Sequence, residues 1–201
     1  MKNSLVSILV IVMFQAAQAQ QGGFEQYLYA RNKEALQVVP LLHYQNNKNW
    51  YAEGRYNYED TATASFYGGK IFSKENKKTS YSMLPLAGVV LGKFKGGSLG
   101  LNINVEYKKI FFSAQSQYTF STKDHTKNFF YSWSEAGYKI WNWLYVGSAI
   151  QHTHMYDTTF KLGEKGLIVG LSMGSWVFPL YIFNPSTNNQ YFILGINRTL
   201  N

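Results

Sequence analysis

Glu53 and Arg55 stand two residues apart in the run Trp50-Tyr51-Ala52-Glu53-Gly54-Arg55-Tyr56. On an extended chain that spacing puts both side chains on one face. A carboxylate and a guanidinium so placed suit one of two tasks. They can pair through the arginine fork and be buried as a hydrogen-bonded plug, or they can line a path for water. Other polar side chains recur at the same spacing: Asn102, Asn104 and Glu106, then Gln115 and Gln117, with Glu135 alone further on. These eight residues are the candidates for lining an interior. Packing is the favoured task, because narrow barrels fill with side chains.

His152 and His154 share a face, with Asp157 close behind. Two imidazoles at this spacing can ligate a transition metal, but no clear third ligand accompanies them. The reading preferred is therefore a pair of interfacial histidines, with no metal and no cofactor. Outer-membrane phospholipases and lipid A deacylases carry a His and a Ser two residues apart on one lipid-facing strand. Each histidine fails: His43 is followed at that spacing by Gln45, His125 by Lys127, His152 by His154 and His154 by Tyr156. Two histidines around a glutamate, as in zinc proteases, are absent. Gly92-Lys93-Phe94-Lys95-Gly96-Gly97-Ser98 has glycines and lysines in the wrong order for a phosphate loop, and reads as a turn. No enzyme class is supported.

The elements that must carry these residues are strands. Leu99, Leu101, Ile103, Val105 and Tyr107 alternate with Ser98, Gly100, Asn102, Asn104 and Glu106. Phe112 to Phe120 repeats the pattern, with Gln115 and Gln117 on the polar face. In the 50–59 segment Trp50, Ala52, Gly54, Tyr56 and Tyr58 oppose Tyr51, Glu53, Arg55, Asn57 and Glu59, and Leu167 to Gly174 alternates likewise. One face is apolar with aromatics near the ends; the other holds amides, charges and glycine. Strands of about ten residues with that pattern mark a transmembrane β-barrel. The longest apolar run after residue 20 is Met83 to Leu91, broken by Pro85 and Gly88; a helical span would need roughly twenty residues. Closing a sheet on itself is the other way to satisfy a backbone in lipid.

Turn signals predict an all-β, antiparallel up-and-down barrel of about twelve strands. They fall near 25–30, 36–45, 50–58, 61–72, 80–93, 97–107, 110–121, 128–140, 144–156, 165–175, 176–184 and 190–199, the first being the weakest. Ten strands is the alternative. The connections 121–128, 156–165 and 184–190 are long and polar and are expected at the cell exterior. Lys108-Lys109, Trp141-Asn142-Trp143 and Gly174-Ser175 are short and are expected in the periplasm. The 73–80 connection breaks this rule, being long on the periplasmic side. Several of Trp50, Trp133, Trp141, Trp143 and Trp176 are expected in aromatic girdles at the headgroup level.

Lys2, the apolar stretch Leu5 to Phe14 and Ala17-Gln18-Ala19 have the layout of a secretory signal peptide over 1–19. One barrel domain, 20–201, would follow. The chain has no cysteine, which excludes a lipoprotein, a disulfide framework and a thiolate metal site. Without Lys2, 18 basic residues stand against 11 acidic ones, a net of +7. For an exported chain the expected counter-charge is outer-membrane lipid and lipopolysaccharide rather than nucleic acid. The sequence ends in Leu200-Asn201, without the terminal aromatic residue common among outer-membrane barrels.

Three stretches carry a resemblance: His43-Tyr44 followed by Asn49-Trp50-Tyr51-Ala52-Glu53-Gly54-Arg55-Tyr56-Asn57-Tyr58-Glu59-Asp60; Ala87-Gly88-Val89-Val90-Leu91-Gly92-Lys93-Phe94; and Pro179-Leu180-Tyr181-Ile182-Phe183-Asn184-Pro185. They resemble a family of uncharacterised small outer-membrane proteins of Bacteroidota. The resemblance implies a barrel and an outer-membrane location, and brings no activity with it. The expected function is a non-enzymatic outer-membrane barrel, either a narrow passive channel or a structural barrel. An accessory barrel partnering another outer-membrane protein in a larger complex is the alternative, and a lipid-modifying enzyme the least supported.

Overall fold

The computed structural model describes residues 21–32, 34–156 and 161–200. The expected signal peptide and Asp157 lie outside the described residues. Thirteen strand segments follow in order: β1 (Gln21–Arg31), β2 (Gln37–Gln45), β3 (Trp50–Tyr56), β4 (Thr63–Lys70), β5 (Phe72–Glu75), β6 (Thr79–Gly92), β7 (Gly96–Tyr107), β8 (Ile110–Ser121), β9 (Phe129–Trp141), β10 (Leu144–Met155), β11 (Lys161–Met173), β12 (Trp176–Phe183) and β13 (Tyr191–Leu200). All pairings are antiparallel, β1 pairs with β13, and β4 pairs with β6, so the sheet closes. A closed sheet has no bare edge, which is what lipid demands.

β4 and β5 are one stave. Their register against β6 is continuous across the break, Gly69 facing Leu86 and Phe72 facing Met83. The barrel is therefore twelve-stranded, and the ten-strand alternative falls because β12 and β13 are both full staves. The 73–80 anomaly is corrected by the same observation. Ser73, Lys74 and Glu75 pair with Ser82, Tyr81 and Ser80, leaving Asn76-Lys77-Lys78 as a tight turn. Asn76 Oδ1 accepts from the N–H groups of Lys78 and Thr79 at 3.0 and 2.9 Å, the local bond that closes such a turn. The connection is short after all.

Two further boundaries move. β3 stops at Tyr56 because Asn57 takes a positive φ of 58°, a conformation asparagine tolerates. β11 begins at Lys161, so the 156–165 loop is shorter than expected. The first strand, the faintest in sequence, is eleven residues long and pairs along most of its length on both sides.

The alternation read from β7 is the alternation of the wall. Leu99 and Leu101 are exposed on the outside, while Ser98 is buried on the inside. Val89, Leu91, Leu167, Val169, Leu180 and Leu194 extend the apolar outer surface around the barrel. A continuous apolar surface of this kind is unfavourable in water and suited to hydrocarbon. Trp50, Trp141, Trp143 and Trp176 all lie at the short-turn end. Trp141 and Trp143 stack at 5.2 Å between centroids, and the Arg198 guanidinium lies 4.9 Å over Trp176. Trp133 does not join this girdle; it points inward.

A divided lumen as the candidate functional site

The inside of the barrel is more aromatic than its alternation suggests, and glycines make the room. Tyr145 faces Gly170 across β10–β11, Tyr67 faces Gly88 across β4–β6, and Phe111 faces Gly137 across β8–β9. A Cβ on Gly170 would overlap the Tyr145 ring, and one on Gly88 would overlap Tyr67. Each inward glycine thus lets a ring lie flat over the neighbouring strand.

Among these rings sits Arg55. Its side chain is 1% exposed and pairs through Nε with Oε1 of Glu53. Its Nη1 donates to Gln117 Oε1 at 3.0 Å. With the Gln115 amide oxygen turned toward the guanidinium, Nη1 and Nη2 both donate to it at 3.2 Å. The guanidinium carbon lies 4.3 Å from the centre of the Tyr58 ring and 4.4 Å from that of Tyr67. The network goes on outward. Gln117 Nε2 donates to Thr119 Oγ1 at 2.9 Å and to Glu59 Oε1 at 3.3 Å, and Tyr67 donates to the same Glu59 oxygen at 2.6 Å. Tyr51 donates to Glu53 Oε2 at 2.7 Å. Arginine is the residue suited to such a site, since one planar cation can satisfy several acceptors and stack on rings at once.

This knot divides the lumen. A chamber of about 450 Å³ opens toward the short-turn end, and one of about 200 Å³ toward the long-loop end. Tyr29, Tyr58 and Tyr131 line both, and Tyr58 meets Tyr131 edge to face at 5.9 Å. The larger chamber holds Glu25, whose Oε2 accepts from Tyr27 at 2.8 Å. It also holds Glu135, whose Oε1 accepts from Trp133 Nε1 at 2.6 Å and Tyr181 at 2.7 Å.

The eight residues singled out in the sequence all belong to the inward face. Glu53, Arg55, Asn102, Asn104, Gln115 and Glu135 line the larger chamber, and Gln117 the smaller. Glu106 sits at the short-turn mouth, paired with Lys139 at 2.7 Å. Tyr58 is a correction. Strict alternation puts it on the outer face with Tyr56, but the turn at Asn57 ends the alternation and swings it inward. Sequence reasoning missed Glu25, His43, Tyr27, Tyr131, Trp133 and Tyr181. For Tyr27 and His43 the signal is a glycine standing opposite, Gly195 and Gly23, which needs the register; Glu25, Tyr131, Trp133 and Tyr181 carry no such signal. Among the described residues, no three His, Asp or Glu side chains are grouped as metal ligands. His152 and His154 sit on the outer face near the long-loop end, and His154 stacks on Tyr156 at 5.3 Å.

No family model matches the chain, and no characterised protein matches it in sequence. Solved structures do match. KdgM porin superposes with a TM-score of 0.66 at 8% identity, over 89% of this chain and 99% of that one. NanC porin gives 0.55 at 9%, over 88% and 98%. OccAB4 of Acinetobacter baumannii gives 0.52 at 12%, over 92% of this chain and 63% of that one. The likeness shows the fold. This chain has the closed antiparallel barrel of outer-membrane porins.

Proposed function

We propose that the protein is a non-enzymatic outer-membrane barrel that works as a narrow passive channel, held shut at rest by the Arg55 knot. The observation that carries this is the lumen itself: two chambers large enough for water on either side of one hydrogen-bonded partition, in a barrel of porin fold. A purely structural barrel could fill its interior with packed apolar side chains. This one keeps space at both ends and closes it with a charge. The exported route, the outer-membrane setting with lipopolysaccharide around the wall, and kinship with the small barrels of Bacteroidota form part of the same proposal. The motif 49–60 that suggests this kinship contains both Glu53 and Arg55.

The test is Arg55→Ala in planar bilayers. Removing the guanidinium strands the Glu53 carboxylate, and hydrating that charge is cheaper than leaving it bare. The expected result is a silent or weakly conducting wild type and a steadily conducting variant. A folded variant as silent as wild type would end the channel reading.

A second reading has one observation in its favour. On the outer wall of β8–β10, Ser116 faces Ser132, Ala114 faces Ser134, and Ala136 faces Ser148. This flat, small-residue face differs from the branched apolar wall elsewhere, and small residues let membrane segments approach closely. It suits an accessory subunit seated against another barrel, which a stoichiometric partner in pull-downs from native outer membrane would support.

A further inference from the structure

The charges of the chain are sorted by place. Six of the eleven acidic residues, Glu25, Glu53, Glu59, Glu106, Glu135 and Glu164, lie on the inward face or at its mouth. The lysines gather instead in turns and loops, as in Lys77-Lys78, Lys93, Lys95, Lys108-Lys109 and Lys123. In the larger chamber three carboxylates, Glu25, Glu53 and Glu135, face one guanidinium, that of Arg55, which is already committed to Glu53 and Gln117. Carboxylates thus outnumber guanidinium groups there by two, and His43 Nδ1 lies 3.6 Å from Glu25 Oε1.

Some hydrogen-bonding capacity is left over, on His43 Nδ1 as well as on oxygens. Both bonds to Glu135 land on Oε1, so Oε2 has no protein donor among the described residues. Asn102 Oδ1 and Asn197 Oδ1 are buried without a partner, and both residues line the same chamber. A carboxylate oxygen of Glu135 is therefore free of protein donors beside the space, and among the described residues no lysine and no second arginine lines it. Tyr27, Tyr51, Tyr131, Trp133, Tyr145 and Tyr181 line the same chamber. Aromatic faces attract cations, most strongly where water is excluded, and rings with a carboxylate form the usual cradle of a quaternary ammonium group. A volume of about 450 Å³ falls within the range of small-ligand sites.

We infer that the larger chamber is a binding site for a small organic cation of the ammonium class, with Glu135 as its counter-charge and the surrounding rings as its wall. This rests on the channel reading for its meaning in transport, but binding itself does not require the lumen to be open.

The experiment is isothermal titration of the folded, detergent-solubilised barrel with choline as the cation, galacturonate as an anion and glucose as a neutral solute. Choline is expected to bind and the other two not. Glu135→Gln keeps an acceptor for Trp133 and Tyr181 while removing the charge. It should weaken choline about tenfold or more, as expected for losing a charge-assisted contact. Asn102→Asp adds a carboxylate to the same wall and should tighten it. Galacturonate or glucose binding as well as choline would overturn the inference, as would no choline binding by a folded barrel, or choline affinity unmoved by both variants. Conductance through Arg55→Ala with no choline binding would remove this inference and leave the channel; choline binding with silence in Arg55→Ala would do the reverse.

Discussion

Truncating Arg55 tests the partition thermodynamically as well as electrically. Its side chain is 1% exposed and that of Glu53 is 4% exposed, so both partners are almost fully buried. Removing one partner of a buried pair costs about 3–5 kcal/mol, mostly because the other charge is left unpaired. Each ring contact to Tyr58 and Tyr67 is worth up to about 2 kcal/mol when desolvated, though these terms do not add to the first. Arg55→Ala alone should therefore cost about 3–5 kcal/mol, toward the lower end if water enters and rehydrates Glu53. The double variant Glu53→Gln, Arg55→Ala removes the stranded charge, and its new side-chain amide still offers an oxygen to Tyr51. It should be less damaging than the sum of its parts, with a coupling of about 2 kcal/mol or more, inside the range seen for contacting residues. The assay is reversible urea unfolding in lipid vesicles, followed by tryptophan fluorescence. Additivity to within about 0.5 kcal/mol would show that Glu53 does not depend on Arg55, and would refute the buried-pair reasoning.

Three other outcomes are expected. Leu101→Arg, on the outer wall, should cost about 2–4 kcal/mol in the same assay if it lies near the midplane, and Asn102→Arg, facing the larger chamber, clearly less; equal costs would contradict a lipid-facing wall. Single cysteines at Lys123 and Thr187, in two long-loop connections of this cysteine-free chain, should label from outside intact cells, and protection of both until the outer membrane is broken would reverse the proposed orientation. Gly170→Val should displace the Tyr145 ring at a cost of about 1–3 kcal/mol, as overpacking does, and Tyr145→Ala should restore much of it; no rescue would mean that the ring does not occupy the space above Gly170.

The staves were legible because period two is a local property. In β7 and β8 each residue's type reports its face, and the bounds 97–107 and 110–121 differ from the observed strands by at most one residue. The break at Ile71 was not legible as such. Ser73, Lys74 and Glu75 are polar and exposed on either face, so a stave leaving the bilayer reads as a loop. The polar lining was legible residue by residue, and all eight candidates face inward. Its partners were not. Arg55 meets Gln117 sixty-two positions away, and Tyr181 meets Glu135 forty-six away. Such contacts follow from closure and register, which alternation alone does not encode.

Tyrosine shows why the lumen looked emptier in sequence than it is. Tyrosine on a barrel strand reads equally as girdle or interior, since its ring suits lipid headgroups and its hydroxyl suits a carboxylate. Three that point inward have a glycine across the ladder, although Tyr181 points inward opposite Ile168 and Ile193, and Tyr44 is exposed opposite Gly22. Tyr67, Tyr145 and Tyr27 stand opposite Gly88, Gly170 and Gly195, and each points inward. Tyr107 and Tyr138 stand opposite Ile110, and both are exposed on the wall. On the inward face such a glycine leaves space into which the ring folds, and the hydroxyl at its far end is carried toward the middle of the barrel. There Tyr51, Tyr67 and Tyr181 each donate to a glutamate. Each of these carboxylates is satisfied by a phenol, and for Tyr67, as for Tyr27 on Glu25, the space that lets the ring reach is a glycine on the next strand. On that arrangement the hydrogen bonding of Glu25 and Glu59 depends on Gly195 and Gly88 of the wall as well as on the tyrosines themselves.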